Sequence, residues 1–187
     1  MTTTAPTTLE QTTGTWTIDA SHSRIGFSAK HAMVATVRGQ FAEFSGGLTL
    51  DGAAPEKSSA TLTIASNSIS TSSEDRDNHL RSGEFLDVES HPELTFASTG
   101  VRYTGADDFV MLGDLTIRGT SRPVELAVEL EGLATDPFGN ERIGFSGATT
   151  ISRKDFGLTW NVALEAGGVL VSDKVKITLD VSAIKQA

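Results

Sequence analysis

Residues 124–130 read Val-Glu-Leu-Ala-Val-Glu-Leu, and their order decides the class of fold. On an extended chain Val124, Leu126, Val128 and Leu130 share one face, while Glu125 and Glu129 fall on the other. A strand with one apolar and one wet face is the antiparallel pattern, not the doubly buried parallel one. The alternation recurs on both sides of this stretch. Val175, Ile177, Leu179 and Val181 alternate with Lys174, Lys176, Thr178 and Asp180, and Ala60, Leu62 and Ile64 alternate with Ser59, Thr61 and Thr63. Further strands are predicted over Thr15–Asp19, Arg24–Lys30, Gly39–Leu50, Glu93–Tyr103, Phe109–Arg118 and Arg142–Ile151.

Turn signals punctuate the series at Asp51-Gly52 through Pro55, Thr104-Gly105, Gly119–Pro123, Asp136–Gly139 and Gly167-Gly168. Strands joined this closely suit a barrel or a sandwich. Gly46-Gly47, Gly113 and Gly144 sit inside predicted strands and are read as bulges or sharp bends. One stretch departs from period 2. Thr71 and Glu74 have capping-box spacing, Arg81 suits a helix C-terminus, and Gly83 can take the left-handed stop. A single short helix is therefore expected over Ser72–Ser82, with Asp77 and Arg81 spaced to pair. The chain reads as a flexible segment over residues 1–14 and one domain over residues 15–187.

Composition narrows the function. Of 187 residues 38% are hydrophobic and 43 are Ser or Thr, which favours strands and turns. A net charge of −9 repels phosphate backbones and anionic leaflets, so nucleic acid and a peripheral membrane role are poor expectations, and no stable membrane insertion is expected. No signal-peptide pattern or apolar span is read, so a cytoplasmic location is expected. With no Cys there is no thiolate nucleophile or thiolate metal site. His22, His31, His79 and His91 lack ligand spacing, so no metal is expected. Ser21-His22-Ser23 looks like a nucleophile and base, but strand neighbours point to opposite faces.

Two candidate sets remain. The run from Arg76 to Arg81 is either a solvated helix face with Leu80 turned inward or a lid over a cavity mouth, whose guanidinium groups could hold a polar head. The apolar faces and aromatics could fill the interior, but eight strands are about where a barrel becomes wide enough for a guest.

The ordered motifs also resemble one family. They are Trp16-Thr17-Ile18-Asp19, Ser21-His22-Ser23, Ile25-Gly26-Phe27, Lys30-His31-Ala32-Met33, Gly39-Gln40-Phe41 and Ser70-Thr71. The Arg76–Arg81 run, Phe85, His91-Pro92 and Thr95-Phe96 follow, then Gly113–Gly119, Arg122-Pro123-Val124 and Arg153–Gly157. The series resembles the YceI-like family of bacterial polyisoprenoid-binding proteins over about residues 15–184. The resemblance implies an eight-stranded antiparallel lipocalin-like barrel holding a long isoprenoid chain, often in a homodimer. It implies a binding or carrier protein for isoprenoid quinones or their precursors, with no enzymatic activity and no cofactor. Many relatives are exported, and this chain departs from them in showing no signal.

Strand parity and the expected mouth nominate Phe27, Phe44, Leu80, Phe85, Phe96, Met111, Leu115, Ile117 and Trp160 as lipid contacts. Arg76, Arg81 and Arg118 are nominated for a phosphate or quinone head, because an acidic protein needs a local cationic spot for one. The competing readings are an isomerase or hydrolase acting on an apolar substrate inside the barrel, and a side-chain-filled barrel acting as an interaction module.

Overall fold

The computed structural model describes residues 8–187. Eleven strands run as β1 (Gly14–Ile18), β2 (Arg24–His31), β3 (Ala35–Phe41), β4 (Phe44–Leu50), β5 (Ser59–Ala65), β6 (Ile69–Ser70), β7 (Glu93–Gly105), β8 (Asp108–Ile117), β9 (Thr120–Thr135), β10 (Glu141–Ser152) and β11 (Val171–Lys185). They occupy eight positions around a closed ring. β1 and β2 both run along β11, separated by a 3₁₀ turn at Ala20–His22. β3 pairs with β2 and β4 with β1, so β3–β4 is one bent strand broken at Ala42-Glu43. β5 and β6 share the third position, against β4 and β3. From β7 to β11 each strand pairs with the next, and β1 closes the ring on β11 with Trp16 opposite Lys185. All pairings among the described residues are antiparallel; the β1–β11 pairing closes the ring, and the two-residue β6, paired with β3 alone, leaves only a short edge.

Several local expectations are corrected. The predicted Gly39–Leu50 strand begins at Ala35 and breaks before Phe44. Gly46 and Gly47 keep regular register, and a side chain at 46 would strike the Thr61 carbonyl on β5. Close backbone approach, not a bulge, explains the glycine there. The register shift between β9 and β10 does fall at Gly144/Phe145. Pro123 lies within β9 opposite Asp114, not in a turn. Pairing with β10 begins only at Ala127, so its missing N–H breaks no bond on that side.

The helix α1 spans Glu74–Arg81. Thr71 does not cap it. Instead Asp77, buried, reaches back to accept from the Thr71 amide at 2.8 Å and from its hydroxyl. Gly83 is not left-handed; the chain leaves the helix at Ser82 in extended geometry. Among the described residues Arg81 makes no ion pair with Asp77, because its guanidinium is spent on backbone carbonyls.

The interior holds two apolar clusters. One lies toward the α1 end and includes Ile25, Ile69, Leu94, Phe96, Leu115, Ile117 and Phe156. The other surrounds Trp16, which is 1% exposed, with Leu48, Leu130 and Ile143. Met111 packs against both.

Candidate lipid cavity and its two ends

Between the two clusters the barrel is not filled. A cavity of about 120 Å³ is walled by Ile25, Leu48, Leu62, Phe96, Phe109, Met111, Leu126, Leu130, Phe145, Leu179 and Val181. These are the inward positions of alternating strands, so the apolar phase that decided the fold also makes a hydrocarbon wall. An apolar cavity of roughly 150 Å³ stays dry and takes up benzene, so this space suits an apolar guest over water. The polar wall residues are Thr12, Asp51, Ser58, Thr61 and Ser146, and the Asp51 carboxylate already accepts from the amides of Ala53 and Ala54.

The end near Trp16 is closed by the 3₁₀ turn Leu9–Thr12 and the β4–β5 connection. The Trp16 indole donates to the Thr12 carbonyl at 2.9 Å, and the Gly52 amide donates to the Thr13 hydroxyl at 2.9 Å. Gly52 lies directly against the Leu9 carbonyl, where no side chain would fit. Of the segment expected to be flexible, residues 1–7 lie outside the described residues.

The opposite end is roofed by α1, the turn after it, and the β10–β11 connection. His79, Phe85 and Trp160 meet there: the His79 ring sits edge-on to Trp160 at 4.6 Å and to Phe85 at 4.9 Å, and Phe85 lies 5.4 Å from Trp160. The connection is held by Arg153, 3% exposed, whose guanidinium donates to the carbonyls of Leu158, Trp160, Val171 and Ser172. Burial pushes that guanidinium down from its ordinary value, and the four carbonyl dipoles stand in for lost water.

The nominated lipid contacts divide accordingly. Phe96 and Met111 line the cavity. Leu115 and Ile117 belong to the apolar cluster at the α1 end, with Phe27, Phe44 and Leu80 packed against it. Phe85 and Trp160 form the roof. Each nominated arginine binds backbone around α1. Arg76 donates to the Thr71 hydroxyl and carbonyl, Arg81 to the carbonyls of Asn67 and Ile69, and Arg118 to the Phe85 carbonyl at 2.8 Å. They staple the roof to the barrel. A guanidinium has five N–H donors, and Arg118 spends the fewest of the three on protein.

Sequence reasoning missed the Trp16 half of the wall: Leu9, Leu48, Phe109, Phe145 and Leu130. Strand parity pointed to the last four, but nothing in the pattern shows which inward residues leave space between them. Leu9 carries no alternation signal at all.

The Ser21–His22–Asp19 group is not a relay. Both the Ser21 hydroxyl and the Asp19 carboxylate approach the same ring nitrogen, Nδ1 of His22, whereas a relay uses one nitrogen for each. Asp19 is held below the usual carboxylate range by Ser21, then Arg142, then His22. Arg142 also bonds Asp136, whose carboxyl is lowered by Arg142 and then Asn140. This network joins the β1–β2 break to the β9–β10 turn, and none of its members lines the cavity.

A family model described as the YceI-like domain matches residues 16–183. A UPF0312 protein of Pectobacterium carotovorum is 37% identical over 168 residues, covering 90% of this chain and 84% of its own. The crystal structure of a Campylobacter jejuni YceI protein superposes with a TM-score of 0.73 at 30% identity, covering 84% of this chain and 90% of its own. A polyisoprenoid binding domain from Saccharophagus degradans shares the fold, with a TM-score of 0.68 at 15% identity over 91% of this chain and 98% of its own. A closed eight-position barrel with one α-helix among its described residues, matched from Trp16 to Ala183, belongs to the YceI-like family.

Proposed function

We propose that this chain binds a long-chain isoprenoid lipid, an isoprenoid quinone or a polyprenyl precursor, in the barrel lumen and carries it without transforming it. The observation that carries this reading is the hydrocarbon-walled cavity left between two packed clusters in a closed barrel. The shared fold with a polyisoprenoid binding domain supports the choice of guest. Each five-carbon unit contributes about 4 kcal/mol gross on burial, so several units approach the ceiling of any non-covalent affinity. The free volume is small beside such a chain, so side chains must yield as it enters. Met111, unbranched and touching both clusters, is suited to do so. The groups whose protonation is perturbed, Asp19, Asp136, Arg142, Arg153 and Asp173, all lie off the cavity wall, which favours a binder over acid–base catalysis in the lumen. The test is native mass spectrometry of gently purified protein, with solvent extraction of any adduct. A stoichiometric isoprenoid is expected. A ligand-free mass that persists after incubation with quinones and polyprenyl phosphates would overturn the reading.

A further inference from the structure

The roofed end of the barrel carries a surface that lumen binding does not use. The β2–β3 turn and the β10–β11 connection lie side by side there: the Ala32 amide donates to the Leu170 carbonyl at 2.7 Å, and the Met33 thioether rests on Gly168. Ala32 and Met33 both adopt left-handed backbone, an arrangement that strains non-glycine residues. The outcome is four apolar side chains presented to solvent. Val34 is 87% exposed and Met33 68%, with Val162 and Val169 beside them on the neighbouring connection.

The wall below these tips is basic in a chain of net charge −9. The outward residues of β11 nearest that end are Lys174 and Lys176, with Thr178 and Asp180 following further along the strand. Register sets Lys176 between Thr150 and Ser28, sets Ser28 beside Arg38, and sets Lys30 beside Thr36. Lys154 follows at the foot of β10. All five cations are exposed, and none has a carboxylate within ion-pair distance among the described residues. The carboxylates nearby in the chain are Asp155, Glu165 and Asp173; Asp173 accepts from the Ser152 hydroxyl and the Lys154 amide, and the charges of Lys154 and Lys174 act on it without closing an ion pair. The acidic residues of α1 belong to the β6 side of the same end.

Protruding apolar tips above a band of unpaired cations are the pattern of an interfacial membrane contact. We propose that this end of the barrel docks on an anionic lipid bilayer, seating Met33, Val34, Val162 and Val169 at the headgroup–acyl boundary while the five cations meet headgroup phosphates. A second copy of the chain fits the surface less well. A two-fold contact sets the same patch against itself and would oppose cations to cations. The docking does not depend on what fills the lumen. It does place the Phe85–Trp160 roof next to the bilayer, since Trp160 and Val162 belong to one connection.

The test is flotation of the full chain with vesicles of phosphatidylcholine alone and of phosphatidylcholine with phosphatidylglycerol, neither containing isoprenoid. Binding to the anionic vesicles is expected, weakening as salt rises. K174Q/K176Q and, separately, V34D should each weaken it by on the order of tenfold with unchanged thermal melts. No flotation with either vesicle, or flotation indifferent to both variants, would overturn the proposal. So would self-association in the absence of vesicles that V34D abolishes, because the patch would then be a contact between copies. Flotation together with a lumen that takes up no lipid would leave the docking standing and remove only the proposed cargo.

Discussion

The ring of Phe96 on β7 occupies the space that a side chain at Gly113 on β8 would need: a Cβ built at 113 meets Cζ and Cε2 of that ring. The two are diagonal neighbours, because Phe96 pairs with Leu115 and Gly113 with Ser98. Phe27 and Gly39 repeat the device across β2 and β3, where they are directly opposed. A glycine beneath a bulky ring lets the ring lie on the wall and sets how much of the lumen it fills.

Gly113→Ala should therefore cost about 1–3 kcal/mol, as overpacking does in a close-packed interior. Urea unfolding measures it. Adding Phe96→Leu should recover part of the loss, and two costs that simply add would show that the ring is not the obstacle.

The carboxyls of Asp19 and Asp136 are held low by Arg142 and by hydroxyl, amide and imidazole partners. A carboxyl lowered on folding adds stability above its unfolded value of about 3.9, and that stability is lost as pH falls toward the folded value. Arg142→Met should lower the melting temperature at neutral pH, and the gap from the parent should shrink through the acid range below about pH 4. A gap that stays constant down to the acid limit would assign the loss to packing.

Arg153→Ala takes the guanidinium donor from the carbonyls of Leu158, Trp160 and Ser172, while the Val171 carbonyl keeps the Asn161 side-chain amide. A loss of about 3 kcal/mol is expected, since buried acceptors left unpaired keep their full desolvation cost. Hydrogen exchange should quicken first at amides of residues 158–171, with the barrel strands slower to follow.

Gly147 lines the cavity, and a Cβ there would make only ordinary contacts with Leu179 and the Ala127 carbonyl. Gly147→Leu should place four carbons in the free space, hold or raise thermal stability, and abolish isoprenoid loading by native mass spectrometry. Undiminished loading would put the guest elsewhere.

Leu80 joins α1 to the core cluster beneath the roof. Leu80→Asp should speed lipid exchange, followed as transfer of a fluorescent isoprenoid to acceptor vesicles. Loading and release at parental rates would show that the guest does not pass this end.

Strand class, antiparallel pairing and the existence of helix α1 were legible in the sequence, because they follow from local periods: Val124–Leu130 can bury one face only as a strand, and 72–82 breaks that period. The family resemblance was legible for the same reason, as an order of short motifs. Tertiary structure alone decided the rest. Asp77 caps Thr71 from inside the helix, Arg76, Arg81 and Arg118 spend donors on backbone carbonyls, and Pro123 is tolerated within a strand because β10 arrives late. The position of the cavity was likewise invisible, since parity says which residues face inward but not how much space they leave. That depends on ring placement over glycines such as Gly113, on the register that closes β1 against β11, and on Leu9 folding over Gly52 from a distant part of the chain. Such contacts join residues far apart in sequence, and a local pattern carries no record of them.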